Sequence, residues 1–422
     1  MTSSCLRAFR QQITMTTIFI QGGNVLDVET LIFSQASVLV RDGVIESVGP
    51  NITPPADAHV IDARGKTVMP GMIDCHTHVV ASQLNLGINA NLPNALATLR
   101  AVPILSGILM RGFTTVRDAG GADWSLCEAT RTDVVDGPRI FPAGHALSQT
   151  GGHGDFRARN DIIEPCACSQ KVGNIGRVVD GVDNVRAAVR EEIQKGATQI
   201  KIMASGGVAS PNDPIHFLGY SEDEIRAIVE EAANAGTYVM GHAYTPRAIS
   251  RAVSLGVRTI EHGNLVDAAT ADLMRERNAF MVPTLVTYEA LANEGAALGL
   301  PAESVAKIET VRGDGKKALE ILAKAGVKMG LGTDLLGALH RHQSDELKLR
   351  ADILGAGMTL QQATLVGAEI IGMSGRLGVL RAGAIADILV VDGNPLSDIS
   401  CLLGQGEGIP VVIKDGKIYK GH

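Results

Sequence analysis

The 422-residue chain is poor in aromatic side chains. Five Tyr, eight Phe and one Trp make up 3% of it. So few rings argue against the stacking platforms that grip single-stranded nucleic acid. Positive charge is also short: 38 Lys and Arg stand against 45 Asp and Glu, a net charge of -7. That balance argues against a surface built for phosphate backbones. No run reaches 18 consecutive apolar residues, so no membrane-spanning helix is expected. The six Cys are scattered, and the one close pair, Cys166 and Cys168, lacks the CxxC spacing of a zinc or redox site. Reduced thiols are expected rather than a disulfide framework. Residues 1–14 lack an apolar h-region and are read as a disordered extension rather than a secretory signal, and Met15 opens the first strand-like run. The expected location is cytoplasmic.

What is present is Gly, at 48 residues, a 45% hydrophobic fraction and eleven His. The length allows two or three domains, or one large barrel with an appendage. Short β-branched segments fill 16–69, and the tail from about 378 reads the same way. Asp-Gly pairs at 42–43 and 415–416 sit where hairpin turns would join such strands. Both ends are therefore expected to build one β-sandwich domain, from 15–69 and 376–422. Between them, 70–375 alternates strand and helix. Strand candidates fall at 71–78, 113–118, 139–146, 198–205, 237–244, 258–263, 279–286 and 327–334. Helical periods lie between, as with Val182, Val185, Val189 and Ile193, or the Ser221/Glu224 capping box before Ile225. Eight such units predict a (β/α)8 TIM-like barrel. No Gly-x-Gly-x-x-Gly follows its first strand, which argues against a dinucleotide-binding sheet. The long connections 147–180 and 206–220 fall at the C-terminal mouth, and 147–180 is read as a substrate loop or lid.

The histidines are not spread evenly. His76 and His78, at i and i+2 on the first strand, share one side with Asp74. Lys201 lies on the fourth strand, and His242, His262 and Asp334 lie at the ends of the fifth, sixth and eighth. Six candidate ligands thus converge on one end of the barrel. His153, in a Gly-rich loop, and Tyr244, two residues past His242, are candidate substrate contacts. Arg157 and Arg159 could pair with a carboxylate. His145 is expected to be packed, and His216, His340 and His342 are weaker candidates for the pocket wall. His59 and His422 are placed in the β domain. Asp118 reads as a mouth residue that orients a loop, and Glu261 is expected to face away from His262.

The motifs GMIDCHTH, IKIMASGG, HAYT, IEHG and GTD, in that order, resemble those of the metal-dependent amidohydrolase superfamily. The Gly151-Gly152-His153-Gly154-Asp155 loop together with HAYT is similar to the subgroup of Xaa-Pro dipeptidases (prolidase-like), Xaa-Arg/Xaa-Lys carboxypeptidase-like enzymes and ochratoxin-hydrolysing amidases. The resemblance implies two divalent metal ions, with zinc expected. His76, His78 and Asp334 would hold one, His242 and His262 the other, and a carboxylated Lys201 would bridge them. It implies an amide hydrolase acting next to a free carboxylate, on a dipeptide such as Xaa-Pro, an N-acyl amino acid or a phenylalanine amide of the ochratoxin A type. A metal-bridging hydroxide would attack the carbonyl, and Asp334 would carry the proton to the leaving amine. His153 would bond the scissile carbonyl or the substrate carboxylate, and Tyr244 the carboxylate or the oxyanion. A symmetric homo-oligomer, an octamer at the upper end, is implied as well. One alternative is a cyclic-amide hydrolase of the imidazolonepropionase type, with one metal and no bridging lysine. Another is a metal-free scaffold relative. Nucleic-acid and membrane partners are not expected.

Overall fold

The computed structural model describes residues 17–157, 171–208, 210, 213–300 and 302–421. The expectations for residues 1–14, Cys166, Cys168, Arg159 and His422 fall outside these.

The first five strands are β1 (Thr17–Asp27), β2 (Ile32–Arg41), β3 (Val44–Gly49), β4 (His59–Asp62) and β5 (Thr67–Pro70). The barrel strands follow: β6 (Met72–Thr77), β7 (Phe113–Asp118), β8 (Arg139–Pro142), β9 (Ala146–Ser148), β10 (Gly176–Val178), β11 (Ile200–Met203), β12 (Val239–Ala243), β13 (Thr259–His262) and β14 (Phe280–Val282). The chain closes with β15 (Ile388–Val391), β16 (Val411–Lys414) and β17 (Lys417–Lys420).

Both ends of the chain meet in one sheet of order β17-β16-β15-β5-β1-β2-β3, with β4 on β1. The join is the antiparallel pair β5–β15. Both Asp-Gly pairs form the tight turns that the sequence predicts. Asp42 and Gly43 have φ of 52° and 79°, and Asp415 and Gly416 have 52° and 71°. Positive φ at both central residues matches the twist of the flanking strands.

The remaining strands form a (β/α)8 barrel. Parallel β6-β7-β8 and β10-β9-β11-β12-β13-β14 are joined where Thr198 N donates to Pro142 O at 2.8 Å. Closure runs through residues 327–334: Met281 bridges Met329, and Cys75 N donates to Leu331 O at 2.7 Å. Helices cover the outside over apolar faces such as Val189, Ile228, Ile249 and Leu319, packed on Ile202, Ile260 and Met281. The predicted capping box forms: Ser221 Oγ accepts from Glu224 N, and the Glu224 carboxylate accepts from Ser221 N.

Three strand expectations change. The 139–146 segment breaks after Pro142, where Gly144 has φ of 68°, and resumes as β9. The 279–286 segment stops at Val282, because Pro283 lacks the ladder N–H, and a helix starts at Leu285. The 327–334 segment pairs only at Met329. A Cβ at Gly332 would come within 2.9 Å of the His76 Cβ, so only Gly allows this approach.

The barrel is bolted to the sandwich by Arg139 at the start of β8. Its guanidinium donates to both Asp387 oxygens, at 2.8 and 3.1 Å, and to Asp415. Asp387 is buried. Arg139→Met is expected to leave that carboxylate without its cation and lower stability by about 3 kcal/mol, read as an earlier urea or thermal midpoint. An unchanged midpoint would show that the contact is replaceable.

Candidate active site

The site lies at the C-terminal end of the barrel strands, as loop-built barrel sites do. A small pocket, partly open to solvent, is lined by all six expected ligands, His76, His78, Lys201, His242, His262 and Asp334. His153 and Tyr244 line it too, with apolar Leu86, Phe156, Ile175, Val208, Leu291 and Leu336.

The β6 pair takes its place through strand alternation. His76 and His78 both face inward, and their ring centroids are 5.5 Å apart. Each ring is fixed by its second nitrogen. His78 Nδ1 lies 2.9 Å from Gly120 O, and Asp118 holds that turn by accepting from Val79, Gly120 and Ala122 N. The loop-orienting reading of Asp118 therefore holds. His76 Nδ1 lies 2.7 Å from Glu261 Oε2. Burial opposes charge on Glu261, but Arg117 and His76 outweigh it and hold its pKa far below the usual range. An ionised Glu261 only accepts, so His76 Nδ1 carries the proton. In the neutral imidazole that a metal would bind, Nε2 then carries the lone pair, and it is buried without a hydrogen-bond partner among the described residues. An orphaned imidazole nitrogen aimed at a carboxylate fits a divalent metal.

His262 and Asp334 complete that group. One donor atom from each of His76, His262 and Asp334 lies within 4.8 Å of the others. Asp334 Oδ1 is 3.4 Å from His76 Nε2 and 3.3 Å from His78 Nε2. Asp334 and His262 have φ of 52° and 74°. Such left-handed backbone in non-Gly residues costs about 1–3 kcal/mol each and clusters at functional sites. The kink carries His262 out of strand alternation and over the mouth, while Glu261 faces the barrel interior beneath it. Glu261, expected only to face away from His262, is thereby part of the site through His76 Nδ1. Alternation alone hid it, because Thr259 and Glu261 are the inward residues of β13, and Thr259 Oγ1 donates to Glu261 at 2.7 Å.

The electrostatics suit ligation. Burial holds His242 and His262 well below the usual imidazole pKa, with neighbouring positive groups adding to it. Neutral rings present lone pairs. Burial disfavours an ionised Asp334, but His76, His78 and His262 outweigh it and keep its pKa well below the usual carboxylate value. Burial pushes the Lys201 amine down to about 8, against the pull of Glu261 and Asp334.

His153 and Tyr244 sit against the ligand rings. His153 stacks on His242 with centroids 4.3 Å apart, and Tyr244 stacks on His262 at 5.3 Å. Tyr244 OH lies 2.8 Å from Tyr288 OH. Tyr288 lies on the Leu285–Glu294 helix, two residues past the strand expected at 279–286, and was not singled out from the sequence. Asp155 does not hold His153; it accepts from Gly151 N and pairs with Arg157. His145 pairs with Glu192, and neither it nor His216, His340 or His342 lines this cavity.

A closed (β/α)8 barrel with imidazoles, a buried lysine and a carboxylate at its mouth defines a barrel hydrolase. The amidohydrolase family matches residues 67–419, and the chain belongs to it: it is a metal-dependent amide hydrolase. It is 32% identical to the ochratoxinase of Aspergillus niger over 412 residues, covering 92% of this chain and 83% of that protein. Among solved structures, it is similar to a prolidase complexed with N-methylphosphonate-L-proline, at 60% identity and a TM-score of 0.95, over 96% of this chain and 100% of that one. It is also similar to a Xaa-Pro dipeptidase with methionine bound in its active site, at 29% identity and a TM-score of 0.86, over 96% and 100%.

Glu261→Gln is expected to free the His76 tautomer and weaken metal binding by about 10–100-fold, read by chelator competition. Unchanged affinity would remove Glu261 from the site.

Proposed function

We propose that the chain is a binuclear hydrolase that cleaves an amide or peptide bond next to a free carboxylate, with Xaa-Pro dipeptides as the first substrate class. N-acyl amino acids and ochratoxin-type phenylalanine amides share the required carboxylate. The observation that carries this is the grouping of His76, His262 and Asp334 beside His78, Lys201 and His242 in one cavity. The similarity to a prolidase holding a phosphonyl proline supports a leaving group with a carboxylate.

In this reading His76, His78 and Asp334 would hold one ion, and His242 and His262 would hold the other. Two divalent ions, zinc by preference, supply Lewis acidity for the carbonyl and lower the pKa of water. Lys201, carboxylated to a carbamate, would supply a further ligand. An ammonium has no lone pair, but with a pKa of about 8 a usable fraction of this amine is neutral at neutral pH. The neutral amine adds to CO2 and releases a proton, leaving an anionic two-oxygen ligand. Asp334 stays ionised in the buried site and accepts the proton of the attacking water, then gives it to the leaving nitrogen. His153 meets the carbonyl or the substrate carboxylate, and Tyr244 offers its hydroxyl to developing negative charge. Lys201 argues against the single-metal, cyclic-amide alternative. Residues 15–69 with 376–422 form the sandwich domain and 70–375 the catalytic barrel. A symmetric homo-oligomer, octameric in the first instance, and a cytoplasmic location complete the proposal.

Ala-Pro is expected to be cleaved with a kcat/KM at least tenfold above that of alanyl-prolinamide; equal values would contradict carboxylate recognition. Asp334→Asn is expected to lower kcat by roughly 10²–10⁴-fold. Retained activity would assign the proton transfer to another group.

A further inference from the structure

His153 is held from below by a loop that has its own clamp. His153 Nδ1 lies 2.7 Å from Ser210 Oγ and 3.2 Å from Asp213 Oδ2. The same Asp213 oxygen accepts from Gly207 N at 2.8 Å, and its other oxygen accepts from Ser210 Oγ. His153, Ser210 and Asp213 are all buried. A Cβ at Gly207 would meet the His153 ring at 2.1 Å, so the glycine backbone is the floor on which the imidazole lies. His242 covers the other face of the ring. From the opposite side Lys307, on the Ala302–Ala325 helix, donates to the carbonyls of Gly207, Ser210 and Asp213 at 3.0, 2.8 and 2.9 Å.

One ammonium thus gathers three carbonyls of the segment that carries the partners of His153. We propose that Asp213 and Lys307 are positioning residues for His153: Lys307 fixes the loop, and Asp213 with Ser210 occupies Nδ1, leaving Nε2 as the ring nitrogen presented to substrate. Neither residue lines the cavity. They act on the reaction through one imidazole. Three charge-assisted bonds from a single cation hold the carbonyls of Gly207, Ser210 and Asp213 in place, and outer partners of metal-site residues typically change activity by about 10–100-fold. The inference rests on the carboxylate-side amide reading only for the choice of substrate.

The test is a double-mutant cycle of Asp213→Asn and His153→Ala in the metal-loaded enzyme, with Ala-Pro as substrate. It is run with amide hydrogen exchange on the wild type, Asp213→Asn and Lys307→Met. Asp213→Asn is expected to lower kcat/KM by about 10–100-fold in the wild-type background and less than threefold when His153 is already Ala. The peptide containing Gly207 should exchange faster in both Asp213→Asn and Lys307→Met, while peptides from β12 and β13 do not change. Equal losses on both backgrounds would overturn the proposal by showing that Asp213 acts apart from His153. Unchanged exchange in Lys307→Met would overturn the clamp. A wild type inert towards Ala-Pro would sink the substrate reading instead, and the exchange experiment would still decide the loop.

Discussion

The mouth of this barrel depends on an ion pair buried well beneath it. Arg117, on β7, donates to both oxygens of Glu261 at 2.9 Å, to Cys75 O at 2.6 Å and to Thr259 Oγ1 at 2.9 Å. Both charged side chains are fully buried. A buried pair of this kind adds little stability over well-packed apolar residues, yet losing one partner costs about 3–5 kcal/mol. Its contribution here is the position of one proton. Arg117 keeps Glu261 ionised, Glu261 accepts from His76 Nδ1, and His76 Nε2 is left facing Asp334 as the nitrogen available to a metal. Three strands, β6, β7 and β13, are thereby tied to the orientation of one imidazole.

Around that fixed point the backbone departs from regular geometry. The positive φ of His262 and Asp334 swings two side chains over the mouth that strand alternation would not place there. The barrel packing beneath holds this strain. The loops add a second level of order: Asp118 fixes the turn that meets His78, and the Lys307 clamp fixes the segment under His153. The site is therefore a rim of hydrogen-bonded turns on a closed barrel, with apolar Leu86, Phe156, Ile175, Val208, Leu291 and Leu336 lining the same pocket.

The sequence made the large features legible because each had a local signature. Both Asp-Gly turns, the Ser221 capping box and the alternation of β6 are short-range patterns, and all appear in the structure. The six ligand candidates could be found because strand ends converge in a barrel whatever lies between them. Glu261 and Arg117 escaped because their value lies in a contact across three strands, 144 residues apart in the chain. Tyr288 escaped because the chain turns from strand to helix after Pro283, and the first turn of that helix, not a strand end, carries it to the site. Asp213 and Lys307 escaped because nothing in their local sequence announces a clamp between a loop and a helix 94 residues further on.

The central claim is that this rim holds two metal ions and needs both. The direct measurement is a titration of chelator-stripped enzyme with zinc in the presence of bicarbonate, following Ala-Pro hydrolysis and bound metal together. The account predicts that activity rises until two ions are bound per chain and then stops. Full activity in the stripped enzyme, or a plateau at one ion per chain, would contradict it.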